Sequence, residues 1–400
     1  MKIFFTSILL IILSNCSFDN KTGIWKNASE IDSKKEDRFK DFETIYNEQK
    51  SFNDVILPNN NLKILLDPIK KNEMWLEEFY QNTNNFDNFS YKNLNEVIFK
   101  SKKLSRNEIK KKILFDGENI IITDNKGNIS LYSIEKQKII YRYNFYKKKY
   151  KKLKINLNIL VEKNIVYVAD NIGYLYALNY LNNQLLWAVN YKIPFRSNLK
   201  IFGDKIIVSN QNNSLYLIDK FDGKISKILP TEETVLKNDF INSLALDNNS
   251  IFYLNTYGSL YSISNENFKI NWFINLNQSL DLNPSNLFYS NPIVVYKDMI
   301  IVSSDPYLYI LNNKSGSTNH KISISSIIKP IVSGKNLFLV TKDNLLVCIS
   351  LNTGEILYSI DINQTIANFL DTKKKSVNIK SLVIINNDLL LFLNNAYLVK

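Results

Sequence analysis

Histidine and cysteine, which serve readily as nucleophile, base or metal ligand, are scarce in this 400-residue sequence. His320 is the lone histidine, and Cys16 and Cys348 are the only cysteines, too few for a disulfide framework or a cluster of metal ligands. Asp124-Asn125-Lys126-Gly127-Asn128 has the look of a calcium loop but lacks the closing glutamate at the required spacing, so it reads as a hairpin. No nucleophile elbow, phosphate loop or zinc spacing occurs. His320 follows a polar turn region, 312–318, and reads as an exposed loop residue. Cys348 lies on an apolar strand, where a buried small hydrophobe is the default. These residue types point away from catalysis, and no cofactor or metal is expected.

The chemistry that is legible lies at the N-terminus. Met1-Lys2 and the apolar run from Ile3 to Leu13 form an export signal too short to span a bilayer. It ends in Leu13-Ser14-Asn15-Cys16, which makes Cys16 the candidate lipidation site of an exported lipoprotein, although Asn15 stands where a smaller residue is usual. Lys plus Arg number 50 against 38 Asp plus Glu, a net +12, and much of this is local. Lys147, Lys148, Lys149, Lys151, Lys152 and Lys154 follow one another closely among tyrosines. Such a run can meet anionic lipid or nucleic acid, but it reads first as a solvated loop, and export excludes nucleic acid as a partner.

The elements that would carry any binding surface repeat. Leu131-Tyr132, Leu175-Tyr176, Leu215-Tyr216, Leu260-Tyr261 and Leu308-Tyr309 recur, then Leu346-Val347 and Tyr397-Leu398, at intervals of 44, 40, 45, 48, 38 and 51 residues. That period belongs to β-propeller blades. The clearest copy reads as three strands, Asn164 to Asp170, Tyr174 to Tyr180 and Gln184 to Asn190, joined by Asn- and Gly-bearing turns. Both faces of its first strand are apolar, which is favourable only if a neighbouring blade covers each face. The expected fold is therefore an all-β propeller, with the Leu-Tyr strand as an inner strand and Trp187, Trp272, Tyr358 and Tyr141 as docking residues on the outer strands.

The expected divisions are a signal peptide at 1–15, an anchor and polar tether at 16–56, an Asn-rich segment at 57–110 leading into the ring, and the propeller at 111–400. Asn95 to Ser101 is expected to enter the ring as a strand. Seven copies are visible, and the last stops short of its outer strands. Either the N-terminal segment completes the ring, or an eighth blade is missing.

The period, the Leu-Tyr strand, the Asp222-Gly223 and Thr353-Gly354 turns and the closing aromatic together resemble the pyrroloquinoline-quinone-type propeller repeat. With the lipoprotein signal, the chain resembles the BamB family, lipoprotein subunits of the machine that inserts β-barrels into the bacterial outer membrane. The stretch from Lys329 to Val340 is similar to that family's sixth blade and falls in the sixth copy here, a register on which the family's eighth blade would be absent. The resemblance implies a non-catalytic scaffold on the periplasmic face of the outer membrane. Its implied partner is the insertase BamA, bound at its periplasmic POTRA repeats, and unfolded barrel precursors are implied as possible clients. The family's Leu-Arg contact pair falls on Leu236-Lys237, within Thr231 to Asn238, where Lys replaces the bidentate Arg fork. Ile193-Pro194-Phe195-Arg196 offers a second candidate, through Phe195 and Arg196, and a further contact loop corresponds to Ser279 to Tyr289. The alternatives are a quinone-dependent dehydrogenase, which shares the repeat, and another periplasmic propeller binding protein.

Overall fold

The structure, a computed structural model, describes residues 16–18, 25–27, 52–92, 100–109, 113–146, 150, 152–233, 240–277, 287–395 and 397–400. Two units are separate by contact, 1–49 and 50–400. In the first, Cys16–Phe18 pairs antiparallel with Trp25–Asn27. The second contains seven four-stranded sheets.

Blade 1 is Leu114–Phe115, Asn119–Thr123, Asn128–Ser133 and Lys138–Asn144, each strand antiparallel to the next. Blades 2 to 6 repeat that order over 157–190, 200–229, 243–275, 294–322 and 331–361. The sequence supplies the two-residue period and both faces. In Ile165–Asp170 five of the six residues are buried, because blades 1 and 3 cover the two sides. Fourth strands such as Gln184–Asn190 alternate between exposed and half-buried and form the rim. The first strands of blades 3, 4 and 5 are short and largely buried and approach one another, which places the first strands around the axis. The Leu-Tyr strand is consequently the third of four, next to the rim, and not an inner strand.

The outer strands dock on the following blade as the sequence suggested for the tryptophans. Trp187 Nε1 donates to Lys220 O at 3.0 Å and its ring lies against Gly223, where a Cβ would come within 2.5 Å of the indole. Trp272 repeats this with Asn313 O and Gly316. In blade 5 the same place belongs to His320. It sits in the strand Thr318–Ile322, half-buried, with its ring against Gly354 and Nε2 3.1 Å from Asn352 O. The exposed-loop expectation for His320 is therefore corrected: it is a packing residue in tryptophan's position. In blade 3 the place falls to Lys227, whose ammonium donates to Phe268 O at 2.7 Å.

The seventh sheet differs. Ile379–Ile385, Asp388–Leu393 and Leu398–Val399 are its first three strands, and the fourth member, Asn88–Phe89, comes from the N-terminal segment. It pairs in parallel with Ile384 and Ile385, on the first strand's free edge and not at the rim. The N-terminal segment thus enters the ring at 88–89; most of the expected strand at 95–101 lies outside the described residues.

Candidate functional site: a filled axis and an open loop face

An antiparallel blade puts its first-to-second and third-to-fourth turns at one end, and its second-to-third turns and the inter-blade connections at the other. The N-terminal segment occupies the first end. Asp67 accepts the Tyr296 hydroxyl at 2.8 Å, beside the first turn of blade 5, and its N–H donates to Ser333 Oγ at the first turn of blade 6.

From there residues 75–89 pass along the axis and meet the first strand of every blade in turn. Trp75 and Phe115 exchange backbone bonds of 2.7 and 2.8 Å with blade 1, and Val161 N donates to Leu76 O at 2.9 Å from blade 2. Blade 3 contributes Lys200, fully buried, whose Nζ reaches Glu77 Oε2 at 2.6 Å and Gln81 O at 2.8 Å. Burial pulls that ammonium below its usual range, and the Glu77 carboxylate opposes the pull. Leu246 N of blade 4 donates to Asn82 O, and Val295 N of blade 5 to Thr83 O. Asn84 Nδ2 then bridges Leu244 O and Ile293 O, both at 2.8 Å. Asn85 exchanges two bonds with Val332 of blade 6, and Lys329 donates to Asn84 O while its ammonium sits 3.6 Å from the centre of the Phe86 ring. Asn88 and Phe89 finish on blade 7. The Asn-rich composition now has a cause. A backbone edge facing the axis needs donors and acceptors from side chains as well as backbone, and asparagine carries both.

The other end carries the inter-blade connections and the predicted contact residues. Phe195 N donates to Asp170 O and Arg196 N to Ser209 O, both at 3.0 Å, which fastens the connection between blades 2 and 3 onto two hairpin turns. The Phe195 ring is 2% exposed, packed with Leu199 and Tyr216 between blades, so its role is core packing. Arg196 is half-buried, and its carbonyl accepts Asn242 N at 2.8 Å. Leaving blade 3, Thr231 Oγ1 donates to Asn213 O at 2.7 Å and Glu232 accepts from Ser259. Leu236 and Lys237 lie outside the described residues, as does most of Ser279 to Tyr289. Their flanks meet: Phe240 and Tyr289, the latter 65% exposed, have ring centroids 5.5 Å apart, with exposed Ile241 beside them. Tyr289 closes the expected contact loop, but Phe240 and Ile241 were not singled out from the sequence. Their signal there was an apolar pair between Asp239 and Asn242 with no strand to join.

Asp124 bears out the hairpin reading, because its Oδ1 accepts the N–H groups of Lys126 and Asn128. Cys348 is fully buried in a third strand, and burial pushes its thiol up to about 12. Among the described residues no three His, Cys, Asp or Glu side chains gather as a metal site, and no helix is long and apolar enough to cross a membrane.

The fold and its two ends define a class: a propeller of seven sheets among the described residues, with a self-filled axis and its inter-blade connections gathered at one end. The chain belongs to the family described as outer membrane protein assembly factor BamB, whose model matches residues 125–360. Among solved structures it is similar to BamB from Moraxella catarrhalis, at 15% identity and a TM-score of 0.57 over 72% of this chain and 86% of that one. It is also similar to the C-terminal WD40 domain of Sif2, at 14% identity and a TM-score of 0.50 over 71% and 77% of the two chains. At those identities the likeness concerns the fold alone. Comparison with curated protein sequences gives no match.

Proposed function

We propose that this chain is a non-catalytic scaffold of the outer-membrane β-barrel assembly machinery, lipid-anchored through Cys16 on the periplasmic side. The observation that carries the reading is the family match across residues 125–360, on a ring whose inter-blade connections gather at the end opposite Asp67. That face would dock the periplasmic repeats of a BamA-like insertase. Arg196, the Phe240–Tyr289 pair and the loop bearing Leu236 and Lys237 are the contacts, and affinity rests on a few such anchors and not on total area. Barrel precursors in transit are the implied clients. A quinone-dependent dehydrogenase is disfavoured by the filled axis: the central channel is where a ring of blades has room for a planar cofactor, and residues 75–89 occupy it through bonds to all seven blades.

The test is a detergent-solubilised pull-down of the tagged lipoprotein from its own cells, with co-purifying proteins identified by mass. Wild type should recover an insertase, and Leu236→Ala/Lys237→Ala or Arg196→Ala should lose it. Recovery of no barrel-assembly component from wild type would sink the scaffold role. Recovery undiminished in both variants would remove these contacts from the reading.

A further inference from the structure

Two connections at the inter-blade end join exposed apolar side chains to clustered lysines. In the one leaving blade 6, the helix Ile362–Phe369 is fixed to its blade: Asp361 caps it by accepting Gln364 N at 2.9 Å, and Ile362 N donates to Asn344 O in the second-to-third turn. Ile362, Ile366 and Phe369 share one stripe at helical spacing, and that stripe outruns the core. The first is buried, the second half-buried, and Phe369 is 87% exposed, the most exposed large apolar side chain among the described residues. Leu370 beside it is exposed as well. Lys373, Lys374 and Lys375 follow, all exposed, with Lys374 paired to Asp361. Val377 N then donates to Asn363 Oδ1 at 3.0 Å and ties the returning chain to the helix.

The connection between blades 1 and 2 repeats the combination, with exposed Leu153 standing between exposed Lys152 and Lys154. The chain entering blade 1 adds exposed Lys102 and Lys103 just before Ser105, whose hydroxyl donates to Asp124 in that blade's hairpin turn. These stretches share one sector, because blade 7 adjoins blade 1: Trp75, bonded to blade 1, has its ring centre 6.2 Å from that of Phe89, bonded to blade 7. Elsewhere at this end the combination breaks down. Among the described residues, exposed Ile241 and Tyr289 have no lysine near them in their connections, and exposed Lys192 has no exposed large apolar neighbour. Lys329, two residues after exposed Ile327, is buried against the axis.

We propose that this sector rests on an anionic bilayer surface, with Phe369, Leu370 and Leu153 entering the headgroup region and the flanking lysines meeting lipid phosphates. Lysine suits the place, because its apolar stem can lie along the buried tip while the ammonium stays in water among the phosphates. A bilayer fits better than an acidic protein. The apolar tips stand on separate connections, and a fluid surface moulds to each, whereas a folded partner would have to present a matching pocket for each. Insertase docking, proposed through the connections between blades 2 and 5, uses another sector and can fail without touching this one.

The test is sedimentation of the full chain carrying Cys16→Ser, so that no acyl chain takes part, with vesicles of phosphatidylcholine and phosphatidylglycerol beside vesicles of phosphatidylcholine alone. The apolar run at 3–13 is common to every variant and sets the baseline on the neutral vesicles. Wild type should bind the anionic vesicles above that baseline, less so as salt rises, and hydrogen exchange should slow at 369–375 and 152–154 on binding. Phe369→Ser/Leu370→Ser and Lys373→Gln/Lys374→Gln/Lys375→Gln should each weaken the anionic part about tenfold or more, with circular dichroism unchanged, since these side chains are exposed. Equal binding to both kinds of vesicle, or exchange protection confined to Phe240 and Tyr289, would overturn the proposal. So would binding to polyglutamate as tight as to the anionic vesicles and indifferent to the two serines, which would assign the sector to an acidic protein.

Discussion

At the scale of single residues the ring is held by small contacts repeated between neighbours. Gly316 has φ +74°, and a Cβ there would come within 2.6 Å of the Trp272 ring. Gly203 also has positive φ, +58°, but nothing lies within 4 Å of its Cβ position. Gly203→Ala should therefore cost about 1 kcal/mol, the left-handed backbone term alone. Gly316→Ala should cost about 1 to 3 kcal/mol more, because the indole must leave its place. Urea midpoints of the two variants measure the difference, and equal midpoints would show that the docking is soft. His320 and Lys227 fill the tryptophan position with quite different chemistry, so what the site requires is a flat or long group capable of reaching the next blade's turn carbonyl.

Among elements, the axial segment is the one that most needs explaining. Lys200→Ala should be strongly destabilising, by about 3 to 5 kcal/mol, because it leaves Glu77 buried without a cation. Lys200→Met with Glu77→Leu should recover most of that loss, since a volume-matched apolar pair replaces a desolvated charge pair. A double-mutant cycle by thermal or urea unfolding checks both, and no recovery in the pair would mean that the Gln81 carbonyl bond carries the energy. The strands of the blades were legible because their signal is local. The three read from 164 to 190 differ from the observed Ile165–Asp170, Tyr174–Asn179 and Gln184–Asn190 by one residue at two ends. First strands escaped notice, as runs such as Leu114–Phe115 and Ile331–Ser333 are too short for a period to show. The axial segment escaped entirely. Its partners lie between 40 and 299 residues away in sequence, and side-chain amides that recognise backbone edges leave no hydrophobic pattern behind. On the loop face, Arg196 was singled out by type and place and lies half-buried in the connection between blades 2 and 3, whereas Phe240 gains meaning only when Tyr289 arrives beside it.

For the whole molecule, the ring and its axis are bonded to one another at every blade. Seven first strands turn a backbone edge toward the centre, and residues 75–89 answer all seven. The ring of the full chain should melt in one sharp calorimetric transition, and a chain lacking 52–92 in broader, lower steps, because the inner edges would then face only water or one another. An unchanged transition would show that blade-to-blade packing suffices. The two ends of the ring are also unequal as surfaces. One is crossed by the chain's own segment around Asp67, and the other carries the inter-blade connections.

The order in which the chain is made gives the axial segment one more consequence. It emerges before any blade exists, yet its bonds to blades 4 to 7 close loops of up to about three hundred residues, as between Asn88 and Asn387. Long loops of this kind fold slowly, and the early blades would wait with unfinished edges until the last has been made. The segment behaves as a mandrel on which the blades are wound one after another. Biogenesis, more than equilibrium stability, is where a defect in residues 75–89 should first be felt, and chaperones that shield strand edges would matter most for this chain in that interval.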